Sequence, residues 1–316
     1  MHLFNRGLSA ALLAVCLTLA TVALATIPST KRFDLSKPSY DLFRGKNLHD
    51  NRVQQSLAFD NVNRRLFIAQ LRDGTGDTSG DLCITQLDFS GNYQGHMHLN
   101  GFGHGVSFGA QGGAGGETFL WTEVEANGNG YGRKLARFKW KNGSTLSQSS
   151  GALAKFTPIA GATEHTAFVD QLANRLVVRY RKGGSKHIAA FDLDAATKGD
   201  FSTPLVNFPQ PALDKFKSKA FQGYAAHGSY LYLMTGTSYE ASGGEVNSQV
   251  ASIDMNTGKI VQGPTLTKAG ASLPFREPEG MAVYKTKDGE VRLFLGFATG
   301  KSGDRRSSLF YKNALI

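Results

Sequence analysis

Gln54-Gln55-Ser56-Leu57-Ala58-Phe59, a turn, and then Arg65-Leu66-Phe67-Ile68-Ala69 open a pattern that the rest of the chain repeats. Both apolar runs are too short for helices and carry no 3.6-residue period. Rich in Leu, Phe and Ile and bounded by turn residues, they read as strands buried on both faces. The first run recurs as Val106-Ser107-Phe108, Ala167-Phe168-Val169, Tyr224-Ala225-Ala226 and Met281-Ala282-Val283, at intervals of 49 to 61 residues. The second recurs as Thr118–Trp121, Arg175–Val178, Tyr230–Leu233 and Val291–Leu295. A third strand follows each pair, over Leu82–Phe89, Lys134–Trp140, His187–Leu193, Gln249–Met255 and Ser307–Tyr311. Turns such as Ser90-Gly91-Asn92, Lys141-Asn142-Gly143 and Asn256-Thr257-Gly258 then lead into a weaker fourth strand.

Four short strands per unit, repeated radially, predict an all-β, five-bladed β-propeller. The last unit stops after its third strand at Ile316, and Arg32–Phe43 is expected to supply the missing one, so that an N-terminal strand closes the last blade. A β-sandwich would also give alternating short strands, but it leaves the recurrence unexplained.

The chain of 316 residues carries 35 Lys and Arg against 25 Asp and Glu, a formal charge of +10. With 41% hydrophobic residues and no long single-sign charge block it is not disordered, and its 37 glycines lack a collagen period. Residues 1–25 read as a signal peptide. Arg6 is the positive n-region, Leu8–Ala25 is apolar, and Ala23-Leu24-Ala25 precedes the expected cleavage. An uncleaved anchor is the alternative, whereas a lipoprotein is disfavoured because Val15 precedes Cys16. Residues 26–316 are then expected to form one propeller domain, secreted or periplasmic, with no membrane span after cleavage. Loss of Cys16 leaves Cys83 alone in Leu82-Cys83-Ile84, so no intramolecular disulfide forms and the thiol reads as packing.

Aligning the opening strands places Gln55, His104, Glu164, Gln222 and Glu279 at a shared position at the start of each blade's innermost strand. In a propeller these positions converge on one mouth of the central channel. Two carboxylates, an imidazole and two amides suit a polar ligand, a hydrogen-bonded plug, or a hard cation such as calcium, for which His104 would be an unusual ligand. Arg72, Glu123, Arg179, Arg181 and Thr299 end the second strands, and Arg276 precedes Glu279. Arg72, Arg179 and Arg276 are expected to pair with acidic groups, because a guanidinium donates two parallel hydrogen bonds. Phe102, Tyr131, Tyr224 and Tyr239 lie near the blade starts, where aromatic rings stack on sugars.

Other signals are weaker. Gly296-Phe297-Ala298-Thr299-Gly300-Lys301-Ser302 has one residue too few between its glycines for a phosphate-binding loop and leads into Gly303-Asp304-Arg305-Arg306 rather than an apolar helix. His96-Met97-His98 puts two imidazoles on one strand face, with no third ligand nearby in sequence, so no metal is assigned. Loss of Arg6 lowers the charge to +9, but basic and acidic residues are interspersed and export argues against a genomic partner, so no nucleic acid is expected. An anionic glycan, a teichoic-acid-like polymer or a lipid surface is the better match, and charge alone does not choose among them.

His104-Gly105, Glu164-His165, Phe221-Gln222-Gly223-Tyr224 and Arg276-Glu277-Pro278-Glu279-Gly280, with Gln54–Asp60, resemble a bacterial and phage propeller superfamily. It includes teichoic acid biosynthesis protein C-like proteins, phage receptor-binding propellers and helveticin J-like bacteriocins. The resemblance covers nearly all the chain after residue 25. It implies a propeller that recognises cell-surface polymers, with a bacteriocin-like toxin as a further implication. By analogy with the fold of uronate-specific lyases, an enzyme at the same mouth would use His104 as base and Arg276 as clamp. No cofactor is expected.

Overall fold

The computed structural model describes residues 26–316; the expected signal peptide lies outside the described residues. The expected propeller is what the chain forms. β1 (Tyr40–Asn47) comes first. Blade one follows as β2 (Gln54–Asp60), β3 (Arg65–Leu71), β4 (Leu82–Leu87) and β5 (Tyr93–Asn100). Blade two opens with β6 (Gly109–Gly112), β7 (Thr118–Ala126) and β8 (Gly132–Lys139). The chain then returns to blade one as β9 (Ser144–Ser147), parallel to β5, before β10 (Ala154–Phe156) completes blade two. Blade three is β11 (Thr163–Asp170), β12 (Arg175–Lys182), β13 (Ser185–Asp192) and β14 (Val206–Pro209), with the short helix α1 (Leu193–Thr197) before its last strand. Blade four is β15 (Phe221–His227), β16 (Tyr230–Thr235), β17 (Gln249–Asp254) and β18 (Lys259–Leu266), with α2 (Tyr239–Ser242) after its second strand. Blade five is β19 (Glu277–Lys285), β20 (Val291–Lys301), β21 (Asp304–Lys312) and β1.

β1 closes the ring by pairing antiparallel with β21, Tyr40 opposite Tyr311 and Phe43 opposite Leu309. This strand overlaps the expected Arg32–Phe43 only at its start. The earlier residues form a second clasp, because Arg32 and Ile316 exchange two backbone hydrogen bonds of 2.9 Å. Both ends of the sheet edge are thereby paired.

Blade two departs from expectation twice. Val106-Ser107-Phe108 is the bend before β6, where the Ser107 hydroxyl donates to Ala167 O of blade three at 2.9 Å. The Lys141-Asn142-Gly143 turn leads to β9 on the edge of blade one. Asn142 Oδ1 accepts the His96 N–H at 3.0 Å, and Gly143 N–H donates to His96 O at 2.8 Å. Gly95 leaves room for that docking, because a Cβ there would lie 2.4 Å from Asn142 Oδ1.

The innermost strands are buried along most of their length; every residue of β2 is. Adjacent blades touch through them, and two glycines set the spacing. A Cβ on Gly223 would stand 2.9 Å from Gly280 Cα, and one on Gly280 would stand 2.5 Å from Ser56 Cα. The blades themselves pack through apolar clusters such as Phe59, Phe294, Leu309 and Tyr284 between blades one and five. Buried area of this kind stabilises by about 25 cal/mol per Å², which lets a fold without disulfides stand. The P-loop-like run Gly296–Ser302 is paired strand of β20 from Gly296 opposite Leu309 to Lys301 opposite Asp304, and only its end reaches the β20–β21 hairpin tip. No helix among the described residues is long and apolar enough to cross a membrane.

Candidate functional site

The starts of the innermost strands are bulged, and the bulges aim the side chains. Gln55 lies unpaired between the pairs Gln54–Gln70 and Ser56–Ala69, and Gln222 between Phe221–Thr235 and Gly223–Met234. Glu279 and Gly280 together oppose one residue between Pro278–Phe297 and Met281–Leu295. A bulge re-aims a side chain out of the alternation of its strand. Gln55, Gln222 and Glu279 thereby line one cavity of about 340 Å³, which His104 reaches from the unpaired segment before β6, together with Arg52, Val53, Leu71, Asp77, Val106, Tyr131, Phe221 and Glu277.

Burial governs the chemistry of this mouth. Glu279 is 4% exposed, and its Oε2 is buried with no hydrogen-bond partner. Burial, reinforced by the neighbouring Glu277, pushes its carboxyl well above the usual range, which favours the neutral acid. Burial also raises Glu277 and lowers His104, which leaves the imidazole neutral. Gln222 Nε2 donates to Gly236 O at 2.9 Å, which fixes the amide. The His104 and Tyr131 rings lie 5.4 Å apart, and the Lys186 ammonium lies 5.9 Å from the Tyr131 ring centre. Arg52 is held by an ion pair to Asp77 and a 2.9 Å bond to Thr75 O. Neutral donors and acceptors in the cavity, with cations beside it, suit hydroxyls and an anionic group.

Glu123 lies beneath this wall. It is fully buried and accepts the Gly105 N–H at 2.7 Å and the Gly132 N–H at 2.6 Å. It therefore shapes the loops carrying His104 and Tyr131 from behind and does not decorate the face. Burial pushes its carboxyl up to about 7.

Other expected residues go elsewhere. Glu164, at φ +53°, pairs outside the cavity with Arg181 at 3.1 Å and with Lys186. In blade three the register leaves Glu164 and His165 between the pairs Thr163–Arg181 and Thr166–Arg179. His165, not Glu164, therefore takes the place that Gln55 and Gln222 hold. His165 is fully buried, with neither ring nitrogen hydrogen-bonded.

The three arginines do not line the cavity. Arg72 donates to Asn100 Oδ1 at 2.7 Å on blade one. Arg179 donates to Gln210 Oε1 at 2.7 Å, with its guanidinium 3.7 Å from the centre of the Phe221 ring, and so backs the mouth. Arg276 is fully buried and donates to Ala269 O, Thr267 O and Ser248 Oγ at 2.8–3.0 Å. Its donors are spent on the loop before blade five, which removes it as a clamp. Thr299 likewise donates to Pro274 O at 2.8 Å. Of the expected aromatic platforms, Phe102 and Tyr224 are core, and Tyr239 donates to Ala271 O at 2.7 Å. Tyr131 alone of these four lines the cavity, joined by Phe221. Arg52, Asp77 and Glu277 escaped sequence reading because they sit outside the repeated position.

Fold and mouth together define a five-bladed propeller whose channel opening carries a polar cavity. The chain belongs to the family of phage five-bladed β-propeller receptor-binding platform domains, which its sequence matches over residues 53–311. It is 26% identical over 292 residues to a Bacillus subtilis (strain 168) protein named as major teichoic acid biosynthesis protein C. That alignment covers 88% of this chain and 63% of the relative, so this chain spans less than two thirds of the relative's length. The tail fibre of Staphylococcus aureus phage P68 shares the fold, with a TM-score of 0.70 and 20% identity over 88% of this chain and 53% of the fibre chain.

Proposed function

We propose that this propeller is an extracellular binding module that takes an anionic, hydroxyl-rich cell-surface polymer of the polyol-phosphate or acidic-glycan class at the channel mouth. The observation that carries the reading is the convergence of Gln55, His104, Gln222 and Glu279 on one cavity, where their polar side chains suit ligand hydroxyls. Gln55 and Gln222 contribute amides to the same hydroxyls, while Tyr131 and Phe221 offer ring faces. Arg52 in the wall and Lys186 beside Tyr131 would meet anionic groups by exchanging their carboxylate partners Asp77 and Glu164. Family membership and the name of the Bacillus subtilis relative support a cell-surface polymer as the ligand class.

The lyase alternative loses the clamp assigned to it, because Arg276 is committed elsewhere. Recognition therefore takes precedence over turnover. The test is an array of teichoic acids and uronate polysaccharides probed with residues 26–316 at moderate salt. Selective retention that Gln222→Ala weakens at least tenfold is the expected result. Retention of every acidic polymer, lost at moderate salt, would mean that net charge alone attracts polyanions and would overturn the reading.

A further inference from the structure

We propose that the outer edge of blade one is a binding site for a divalent transition cation of the zinc class, held by His49, His96 and His98 with Asp50. The ligand atoms of the three histidines all lie within 4.8 Å of one another. His49 comes from the segment between β1 and β2, and His96 and His98 from one face of β5, so the third imidazole absent from the local sequence arrives through the fold. The His49 and His96 rings are stacked, with centres 3.4 Å apart and planes 7° apart. Stacked rings hold their in-plane lone pairs parallel, so a rotation of one ring brings both to face a single ion.

The surroundings orient the ligands. With His96 Nδ1–H donating to the Tyr93 oxygen 2.7 Å away, Nε2 keeps its lone pair for a metal. His98 Nε2 is buried with no hydrogen-bond partner, an orphan that a metal satisfies. Asp50 Oδ2 accepts the Asp73 N–H at 2.8 Å, and Oδ1 stands 3.9 Å from His49 Nε2 and 3.8 Å from His98 Nε2. Ligand atoms of a tetrahedral site with bonds of about 2.0–2.1 Å stand about 3.3 Å apart, so small side-chain rotations close the shell. Three imidazoles and one carboxylate suit zinc and its neighbours better than calcium or magnesium. The buried Cys83 thiol also lies close to Asp50 and His98. A cation here fastens the segment after the closing strand β1 to β5 of blade one.

The test is a calorimetric titration of the untagged, metal-free full chain with Zn²⁺ alone, paired with thermal unfolding. One equivalent per chain is expected, with a Tm rise of a few degrees at saturation. His49→Ala and His96→Ala should each weaken uptake at least tenfold. His49 is exposed, so its variant should keep the metal-free Tm and remain a fair test. His187→Ala, on blade three, should leave uptake unchanged. No saturable uptake by the native chain, or uptake equal in native, His49→Ala and His96→Ala chains, overturns the proposal.

Discussion

Gln54 Nε2 donates a 2.9 Å hydrogen bond to the backbone carbonyl of Glu279, across the seam where blade one meets blade five. The residue beside the Gln54 backbone, Gln55, and the side chain of Glu279 both face the mouth cavity. Closing the ring and assembling the site are therefore one event.

That seam tolerates no side chain at Gly280, which combines φ +86° with a Cβ position 2.5 Å from Ser56 Cα. Gly280→Ala should destabilise by about 3 kcal/mol or more, since strain and overpacking add. Gly289→Ala, with φ +88° but nothing within 4 Å, isolates the backbone term and should cost about 1–2 kcal/mol. Urea unfolding of both measures the difference; equal losses would refute the close approach of the blades.

Arg276 discriminates between a structural and a ligand-pairing role. Arg276→Lys keeps the charge but loses the fork that spans Ala269 O and Thr267 O. It should lower stability by about 2 kcal/mol or more, with a matching fall in Tm. An unchanged Tm with lost polymer binding would instead return Arg276 to the mouth.

His165 should make the propeller acid-sensitive. Burial lowers its imidazole to about 4, below its ordinary value near 6.5. The unfolded chain takes up the proton first, so the stability tied to neutral His165 is intact above about pH 6.5. It drains as pH falls, by roughly 3 kcal/mol once pH reaches about 4. His165→Gln should flatten that part of the stability profile measured by urea unfolding between pH 7 and 4.

Glu123 works in the opposite sense. Its carboxyl is raised to about 7, so the stability that its protonation confers is complete below about pH 4.5 and is lost as pH rises through about 7. Glu123→Gln should remove that slope while weakening polymer binding, because one of the two backbone donors from Gly105 and Gly132 loses its acceptor. Binding unchanged in this variant would mean that the His104 loop needs no support from below.

Within the mouth, His104→Ala separates recognition from turnover. A recognition role predicts affinity lowered by roughly tenfold or more, equivalent to about 1.4 kcal/mol or more, with Tm held. Full affinity with lost polymer cleavage would establish catalysis instead.

The blades were legible in the sequence because each is built from neighbouring hairpins. Leu57-Ala58-Phe59 pairs with Leu66-Phe67-Ile68 a few residues on, so apolar runs and turns carry the whole local instruction. The ring of mouth residues was legible where the strand start kept its offset, at Gln55, Gln222 and Glu279. In blade three the same offset of two from Ala167 reaches His165 rather than Glu164, and Glu164 pairs with Arg181 and Lys186 instead. What the offset does not carry is how the folded chain partners the side chain it selects. Arginine positions failed for a related reason, since a long side chain goes to whatever carbonyls the folded loops leave unpaired, as Arg276 does. His49 reaches His96 only because ring closure lays the end of β1 beside blade one. The sequence by itself determined a repeating all-β chain that must close on itself. Which side chains meet at the mouth and at the edge of blade one was decided only when five locally specified sheets packed around a common axis.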